Sequence, residues 1–349
     1  MSSATCIILN LPRSRFDGWL HGERRAWESC QEEVLRRLAP AEVLLADSVE
    51  EAASLAHQGA LHGFRRIIAA GGDATLHGVV NGLMRLAPSH RQTLQVGILT
   101  LARPGAFSRT LNLPTPVERQ LDILAAGHTL PCDVMRADLE DFQGRSLTRY
   151  FISGARIGAQ GLGAAREEWS QGASLRRELA ALTRRYTAPA VSLLRLEGEG
   201  QVLYHGQAPL VLIMSGRYYP GLGEITPTAN QGDGLLEVCW LEGAGGLRRM
   251  PGLLRMTLPP PLGRPMGPWR SLEDARVSAQ DRGGMLELDG QTAGALPAAF
   301  TVLRRELPMI VESVAVRWRL PARELAATPG RSGLAGHLRR ATRLRGAGV

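Results

Sequence analysis

Residues 71–75, Gly71-Gly72-Asp73-Ala74-Thr75, follow an apolar run, Ile67-Ile68-Ala69-Ala70, and open an amphipathic stretch that reaches Leu83. Two adjacent glycines let the backbone bend sharply and come close to a polyanion. A helix starting there offers unpaired N–H groups at the positive end of its dipole. Asp73 is the odd charge. A carboxylate beside a phosphate cradle repels it, unless a divalent cation lies between them or the carboxylate holds the loop by accepting backbone N–H bonds. A metal–nucleotide site is therefore the natural reading. For so short a string the plain alternative is an N-cap aspartate in an ordinary strand–turn–helix. Two further acids precede a glycine: Asp233 in Asn230-Gln231-Gly232-Asp233-Gly234, and Asp289 in Leu286-Glu287-Leu288-Asp289-Gly290-Gln291. By itself, Asp-Gly suits a tight turn between strands.

The elements that must position these groups follow from the hydrophobic pattern. Residues 4–10 read as a buried strand, residues 19–38 as a helix, residues 42–46 as a second strand, and a helix begins at the Asp47-Ser48 caps. A strand over 65–70 leads into the glycine turn; a fourth strand covers 94–99 and a helix 117–126. Short apolar strands alternating with helices predict an α/β domain with a doubly wound parallel sheet and a ligand at the carboxyl ends of its strands. Beyond residue 133 strand-like runs dominate, at 149–157, 190–196, 202–205, 209–215, 235–241, 275–279, 285–288 and 300–303, with one helical insertion at 164–184. Glycine and proline turns separate them, which predicts an antiparallel β-sandwich. The expected organisation is a nucleotide-binding domain at 1–133, a β-sandwich acceptor domain at 134–320 and a basic tail at 321–349. In the tail, Leu334, Leu338 and Ala341 at helical spacing suit a helix lying on an anionic membrane, or a solvated terminus.

The longer string through residue 83 resembles the GGDGT-x-NEV-x-NGL signature of the diacylglycerol kinase and sphingosine kinase family. Gly71, Gly72, Asp73, Thr75, Val79, Asn81, Gly82 and Leu83 match it. Ala74 replaces the third glycine, His77 an Asn that is His in some sphingosine kinases, and Gly78 the Glu. Residues 100–111 are similar to the family's P-x-GT-x-NDFAR loop, but only Phe107 and Arg109 keep their types. Ala102-Arg103 stands for Gly-Thr and Gly105-Ala106 for Asn-Asp. Residues 226–235 resemble P-x-A-x-x-DDG-x-L with Gly232 in place of the first Asp, and residues 286–291 resemble V-DGE with Gln291 in place of the Glu. Asp133 falls where the family has an aspartate opening the second domain; a turn carboxylate is an equal reading.

The resemblance implies an ATP-dependent, Mg²⁺-requiring kinase that transfers a γ-phosphoryl group to a hydroxyl of a diacylglycerol- or sphingoid-like lipid. Gly71, Gly72, Ala74 and Thr75 would cradle the phosphates, with Arg103 and Arg109 on the nucleotide-facing loop. Asp73 would face the metal–nucleotide, Asp233 would belong to a structural divalent-ion site, and Asp289 would be the general base. The alternative is a catalytically degenerate relative that binds lipid or a partner, to which Ala74, Gly78, Ala102, Gly105, Ala106, Gly232 and Gln291 point. An NAD kinase-like enzyme shares the GGDGT turn, and the NGL continuation disfavours it.

Composition narrows the partners. The 349 residues are 44% hydrophobic and 21% charged, enough for two cores. Every one of the 41 basic residues is arginine, which excludes a P-loop lysine and a Schiff-base lysine. A net charge of +8 favours acidic partners, while aromatics at only 5% leave few stacking platforms for nucleic acid, so an anionic membrane surface is expected and nucleic acid is not. The four cysteines lack C-x-x-C spacing and no apolar run is long enough to span a membrane. The expectation is a cytoplasmic protein, peripheral on the inner membrane face, with homodimerisation left open.

Overall fold

The computed structural model describes residues 4–10, 20–101, 104–158, 191–220, 224–243, 267–280 and 284–313. Arg103, the helical insertion at 164–184 and the basic tail lie outside the described residues.

The first layer is the expected α/β unit. Strands β1 (Thr5–Asn10), β2 (Ala41–Ala46), β3 (Arg66–Ala70) and β4 (Gln95–Leu99) run parallel in the order β2-β1-β3-β4. The connections carry α1 (Leu20–Arg37), α2 (Val49–Leu61), α3 (Asp73–Leu83) and the single turn α4 (Pro88–Arg91). After β4 come the short α5 (Ala106–Thr110) and α6 (Val117–Ala126). Helix α2 starts where its capping signal lies: Ser48 accepts from the Glu51 N–H at 3.0 Å, and the Glu51 carboxylate accepts from the Asp47 N–H at 2.7 Å. One face of the sheet packs on α2 and α3, through residues such as Ala52, Ala56, Val79 and Leu83. The other face packs on α1 and α6, through Trp27, Val34, Leu121 and Leu124. The strand order reverses between β1 and β3, so the crevice for a ligand opens at their carboxyl ends, where the glycine turn leaves β3.

Helix α3 lies unusually close to α2, and glycine makes this possible. A Cβ at position 78 would come 2.5 Å from the Val49 carbonyl oxygen and 3.0 Å from the Ala52 methyl. A Cβ at position 82 would run into the Ala53 backbone. The glycine at 78, where the family signature has glutamate, is thus a packing requirement of this chain.

The second layer is antiparallel. Strands β5 (Thr129–Glu140), β6 (Ser146–Phe151), β7 (Gly154–Gly158), β8 (Val191–Gly198), β9 (Gln201–Ala208) and β10 (Leu210–Met214) lead to β11 (Leu236–Leu241). They are followed by β12 (Trp269–Leu272), β13 (Asp274–Ala279), β14 (Met285–Leu288) and the long β15 (Gln291–Ile310). One wing reads β12-β11-β10-β7-β14; the other holds β5, β6, β8, β9 and β13 around β15. The β14–β15 hairpin joins them. Their inner faces share a core in which Ile157, Val211, Ile213 and Leu286 meet Leu194, Leu196, Val277 and Phe300. Phe151 and Phe300 pack edge to face, with centroids 6.1 Å apart and planes at 85°. The far end of β15 pairs in parallel with β4 through Met309 and Val96, so the antiparallel layer continues into the parallel sheet. Residue 133, the expected boundary, lies inside β5.

Replacing Gly78 with the family's glutamate is expected to lower stability by about 1–3 kcal/mol in urea unfolding, because the new side chain meets backbone that cannot withdraw. Unchanged stability in Gly78→Glu would refute the packing explanation.

Candidate active site at the strand ends

The turn after β3 has the strained geometry that its sequence suggests. Gly71 sits at φ +145°, where a side chain is disfavoured, and a Cβ there would come 2.5 Å from the Thr75 hydroxyl. The Gly71 N–H donates to the Leu99 carbonyl at 3.0 Å, which ties the turn to β4. Gly72 is the N-cap of α3, with open space where its Cβ would be and no side chain capping the helix. The first helical bond runs from Leu76 N to Gly72 O, so the N–H groups of Asp73, Ala74 and Thr75 precede it at the positive end of α3. The Thr75 side chain is only 3% exposed and packs beneath Gly71.

Asp73 turns toward the next loop. Its Oδ2 accepts from the Ala106 N–H at 2.7 Å, and the carboxylate occupies the space a Cβ at residue 105 would need. In this chain the Asp73 carboxylate thus sits in the space that a side chain at residue 105 would occupy. Burial pushes the Asp73 carboxyl up to about 6. The N–H groups of Ala106 and Phe107 and the Arg109 charge pull it down, while Asp289 adds to the rise. Arg109 donates from Nε to the Gly105 carbonyl at 3.3 Å and lies 4.5 Å over the Tyr218 ring. Arg217 lies 5.4 Å from the same ring, pairs with Glu224 at 3.2 Å, and donates its N–H to the Thr110 hydroxyl at 3.2 Å. The loop after β10 thus closes one side of the crevice.

Asp289 closes another. It follows β14 at φ +49°, a conformation that Asp adopts more easily than most residues, and is 2% exposed. Its Oδ1 accepts from Ser153 N at 2.8 Å and Gly154 N at 3.1 Å, and its Oδ2 from Ile152 N at 3.1 Å. His77, on α3 one turn past Asp73, reaches the same Oδ2 through Nδ1 at 3.0 Å. The ring is fixed in turn by Asn81, whose amide is oriented by two bonds to the Tyr150 backbone, at 3.0 Å from N and 2.8 Å to O. The Asn81 NH₂ also donates to the His77 carbonyl at 2.9 Å and lies 3.3 Å from Nε2, and Nδ1, facing a carboxylate oxygen, is the donor to Asp289. The sequence reading did not include His77 among the site residues. The signal available was its spacing, four residues after Asp73 and four before Asn81, on one face of a helix.

The remaining acids behave differently. Asp133 is buried and bridges the Gly234 N–H at 2.7 Å and the Arg305 N–H at 2.8 Å, pinning the 230–234 loop to a bulge in β15; burial pushes its carboxyl up. Asp233 accepts from the Leu235 N–H at 3.1 Å, the bond of an Asp-Gly turn. Among the described residues no group of three or more His, Cys, Asp or Glu side chains gathers as an ion site. The structure thus brings Asp73, Arg109 and Asp289 together with the glycine turn, and leaves Asp233 at its own turn.

Residues 21–137 match the diacylglycerol kinase catalytic domain family. That match covers about a third of the 349 residues, the α/β layer from α1 onward and the first part of β5. The chain is 24% identical over 256 residues to a diacylglycerol kinase of Staphylococcus carnosus, covering 70% of this chain and 76% of that one. To a diacylglycerol kinase of Staphylococcus aureus it is 28% identical over 264 residues, covering 73% and 77%. The fold matches a crystal structure of a diacylglycerol kinase from Bacillus anthracis with a TM-score of 0.66 at 20% identity, over 89% of this chain and 97% of that one. The two-layer fold described above is therefore shared with that structure; in this chain the glycine turn lies on the α/β layer and Asp289 on the antiparallel layer.

The dense bonding of Asp289 yields a stability expectation. An amide at this position offers one acceptor where backbone N–H groups and His77 need two, so Asp289→Asn should lower unfolding stability by about 1–3 kcal/mol even though Asn tolerates the same φ. A variant as stable as the parent would mean that these bonds contribute nothing net.

Proposed function

We propose that this protein is an ATP-dependent lipid kinase, passing the γ-phosphoryl group to a hydroxyl of a diacylglycerol-like lipid. The observation that carries the reading is the uncapped start of α3 behind the Gly71-Gly72 turn, at the strand-order reversal, with Asp73 and Arg109 beside it and Asp289 facing it from the other layer. The N–H groups of residues 73–75 would bind phosphate oxygens, and Arg109 would add a positive charge. Arg103 would join them from the same loop. A magnesium ion carried by the nucleotide would keep phosphate oxygens and water as its ligands, so that Asp73 is not engaged by the metal. When bound, the ion would neutralise charge on the phosphates. Asp233, the ion ligand suggested by the resemblance, accepts from the Leu235 N–H in its Asp-Gly turn.

Of the two carboxylates in the crevice, Asp73 is the better proton acceptor. Its carboxyl titrates near 6, so it exchanges a proton at working pH. Asp289, the base suggested by the resemblance, has its oxygens engaged by three backbone N–H groups and His77. We assign it the role of a fixed negative charge that raises the carboxyl of Asp73 and holds the two layers in register. An acceptor drawn from a bilayer requires the protein to work at a membrane surface. No helix among the described residues is long and apolar enough to cross one. A peripheral position, supported by the arginine-rich composition, suits this reading.

A second reading, a non-catalytic lipid-binding relative, is favoured by one observation: Asp73 already caps α5 through Ala106. Incubation with γ-labelled ATP, Mg²⁺ and dioctanoylglycerol in mixed micelles separates the two. Labelled phosphatidic acid supports the kinase, and its absence together with retained micelle binding supports the second reading.

The pH dependence is specific. Below about pH 4 Asp73 is neutral in both folded and unfolded chains. Above that the unfolded chain ionises first, so this group's contribution to stability falls as pH rises from about 4 to about 6. Turnover should move the opposite way, rising through about pH 6 as the carboxylate forms, and Asp73→Asn should remove that limb and lower kcat by 10²–10⁴-fold. A limb that persists in Asp73→Asn would exclude Asp73 as the base.

A further inference from the structure

Behind the Asp289 turn lies a buried polar cluster that the mechanism does not use. Arg156, in the middle of β7, is 2% exposed and pairs through Nη2 with Glu287 on the neighbouring β14. Among the described residues its Nε and Nη1 have no hydrogen-bond partner. The ring of Tyr219 lies 5.8 Å from the guanidinium, its own buried hydroxyl also lacks a partner among the described residues, and Glu287 stands two residues before Asp289, so the cluster adjoins the Asp289-Gly290 turn. Leaving charged donors buried and unsatisfied is costly, and such groups in native folds ordinarily have a partner.

The surroundings define that partner. Ala155 and Ile157 point into the sandwich core, so Arg156 lies on the opposite face of the wing, where its register partner Leu212, then Leu210, Met214, Cys239 and Tyr219 form a second apolar cluster. Charge is set by one guanidinium against the carboxylates of Glu287 and Asp289, all acting on Tyr219. A phosphate would add negative charge to a neighbourhood already short of positive charge. The orphan atoms of Arg156 are donors, so an amine would set donor against donor. What remains is a neutral acceptor oxygen attached to an apolar chain. Glu287 keeps 14% of its side chain exposed, so the cluster reaches solvent on that side.

We propose that Arg156 is a specificity-determining residue that binds an ester carbonyl oxygen of the acceptor through Nε and Nη1, while Glu287 holds the guanidinium in place. This rests on the lipid-kinase reading for the identity of the acceptor, but not for the binding chemistry. The subsite selects acyl esters over ether lipids and over sphingoid bases, which carry an amine in place of the esters.

The test is binding, independent of turnover. Dioctanoylglycerol, its dialkyl-ether analogue lacking both carbonyls, and sphingosine are titrated into the full-length protein in detergent micelles, with affinity read by intrinsic tryptophan fluorescence. The ester should bind roughly tenfold or more tightly than the ether, as expected for a hydrogen bond to a charged donor. Arg156→Met should erase that ratio while leaving ether affinity unchanged. Arg156→Lys keeps a charge opposite Glu287 and guards against a folding failure; having lost the forked donors, it should also lose most of the ratio. Equal affinity of the parent for ester and ether would overturn the proposal, with the orphan donors then held by water only. So would tighter binding of sphingosine, or an ester preference that survives in Arg156→Lys. Ester-selective binding without any phosphorylated product would leave the subsite standing and remove the kinase reading.

Discussion

Two layers of structure meet at one carboxylate. Asp289 receives N–H bonds from Ile152, Ser153 and Gly154 of its own layer and from His77 of the other, so its oxygens are satisfied only when α3 and the β6–β7 connection are both in place. Unpaired, a carboxylate at this depth would carry a large desolvation cost. The glycine turn, Asp73 and the first turn of α3 are fixed relative to the antiparallel layer through this contact and through the Asn81–Tyr150 pair beside it. Two separate layers would have no reason to keep Asp73 and Asp289 close enough for one to perturb the other; here they do.

Seen from that contact, several departures from the family signature have local causes. Gly78 allows α3 to approach α2, and Gly105 makes room for the Asp73 carboxylate. His77 supplies the donor that Asp289 needs from the α/β layer. Each of these residues fits its immediate neighbours in this chain. Gly232 and Ala74 have no such partner among the described residues.

Much of this was legible in the chain. Strands β1 to β4 are apolar runs with clear breaks, and α2 announces itself by a capping box, so the parallel layer follows from local pattern. Strand β5 was harder to see because Pro131 and the acids Asp133 and Asp138 interrupt its alternation. The length of β15 was hidden by Pro297, Pro308 and Arg304-Arg305. Both strands exist because they pair with each other over most of their length and tolerate two register shifts while doing so. The same division holds for the site. Asp73, Arg109 and Asp289 stand in recognisable strings, whereas His77, Tyr150, Tyr218 and Arg156 gain meaning only from residues tens or hundreds of positions away.

The continuity of β15 from the antiparallel layer into the parallel sheet has a mechanical side. A flexible linker between nucleotide and acceptor layers would let one swing freely on the other. A strand hydrogen-bonded on both sides of the junction, to β5 along its length and to β4 at its end, behaves instead as a leaf spring. Opening the crevice by a large hinge rotation would break ladder bonds. The compliant motion left is a shallow bend and twist of the sheet, concentrated at the bulge between Leu303 and Leu307, where Asp133 clamps Arg305. Any gating of the site therefore takes the form of elastic flexure, with a restoring force built into the hydrogen-bond ladder.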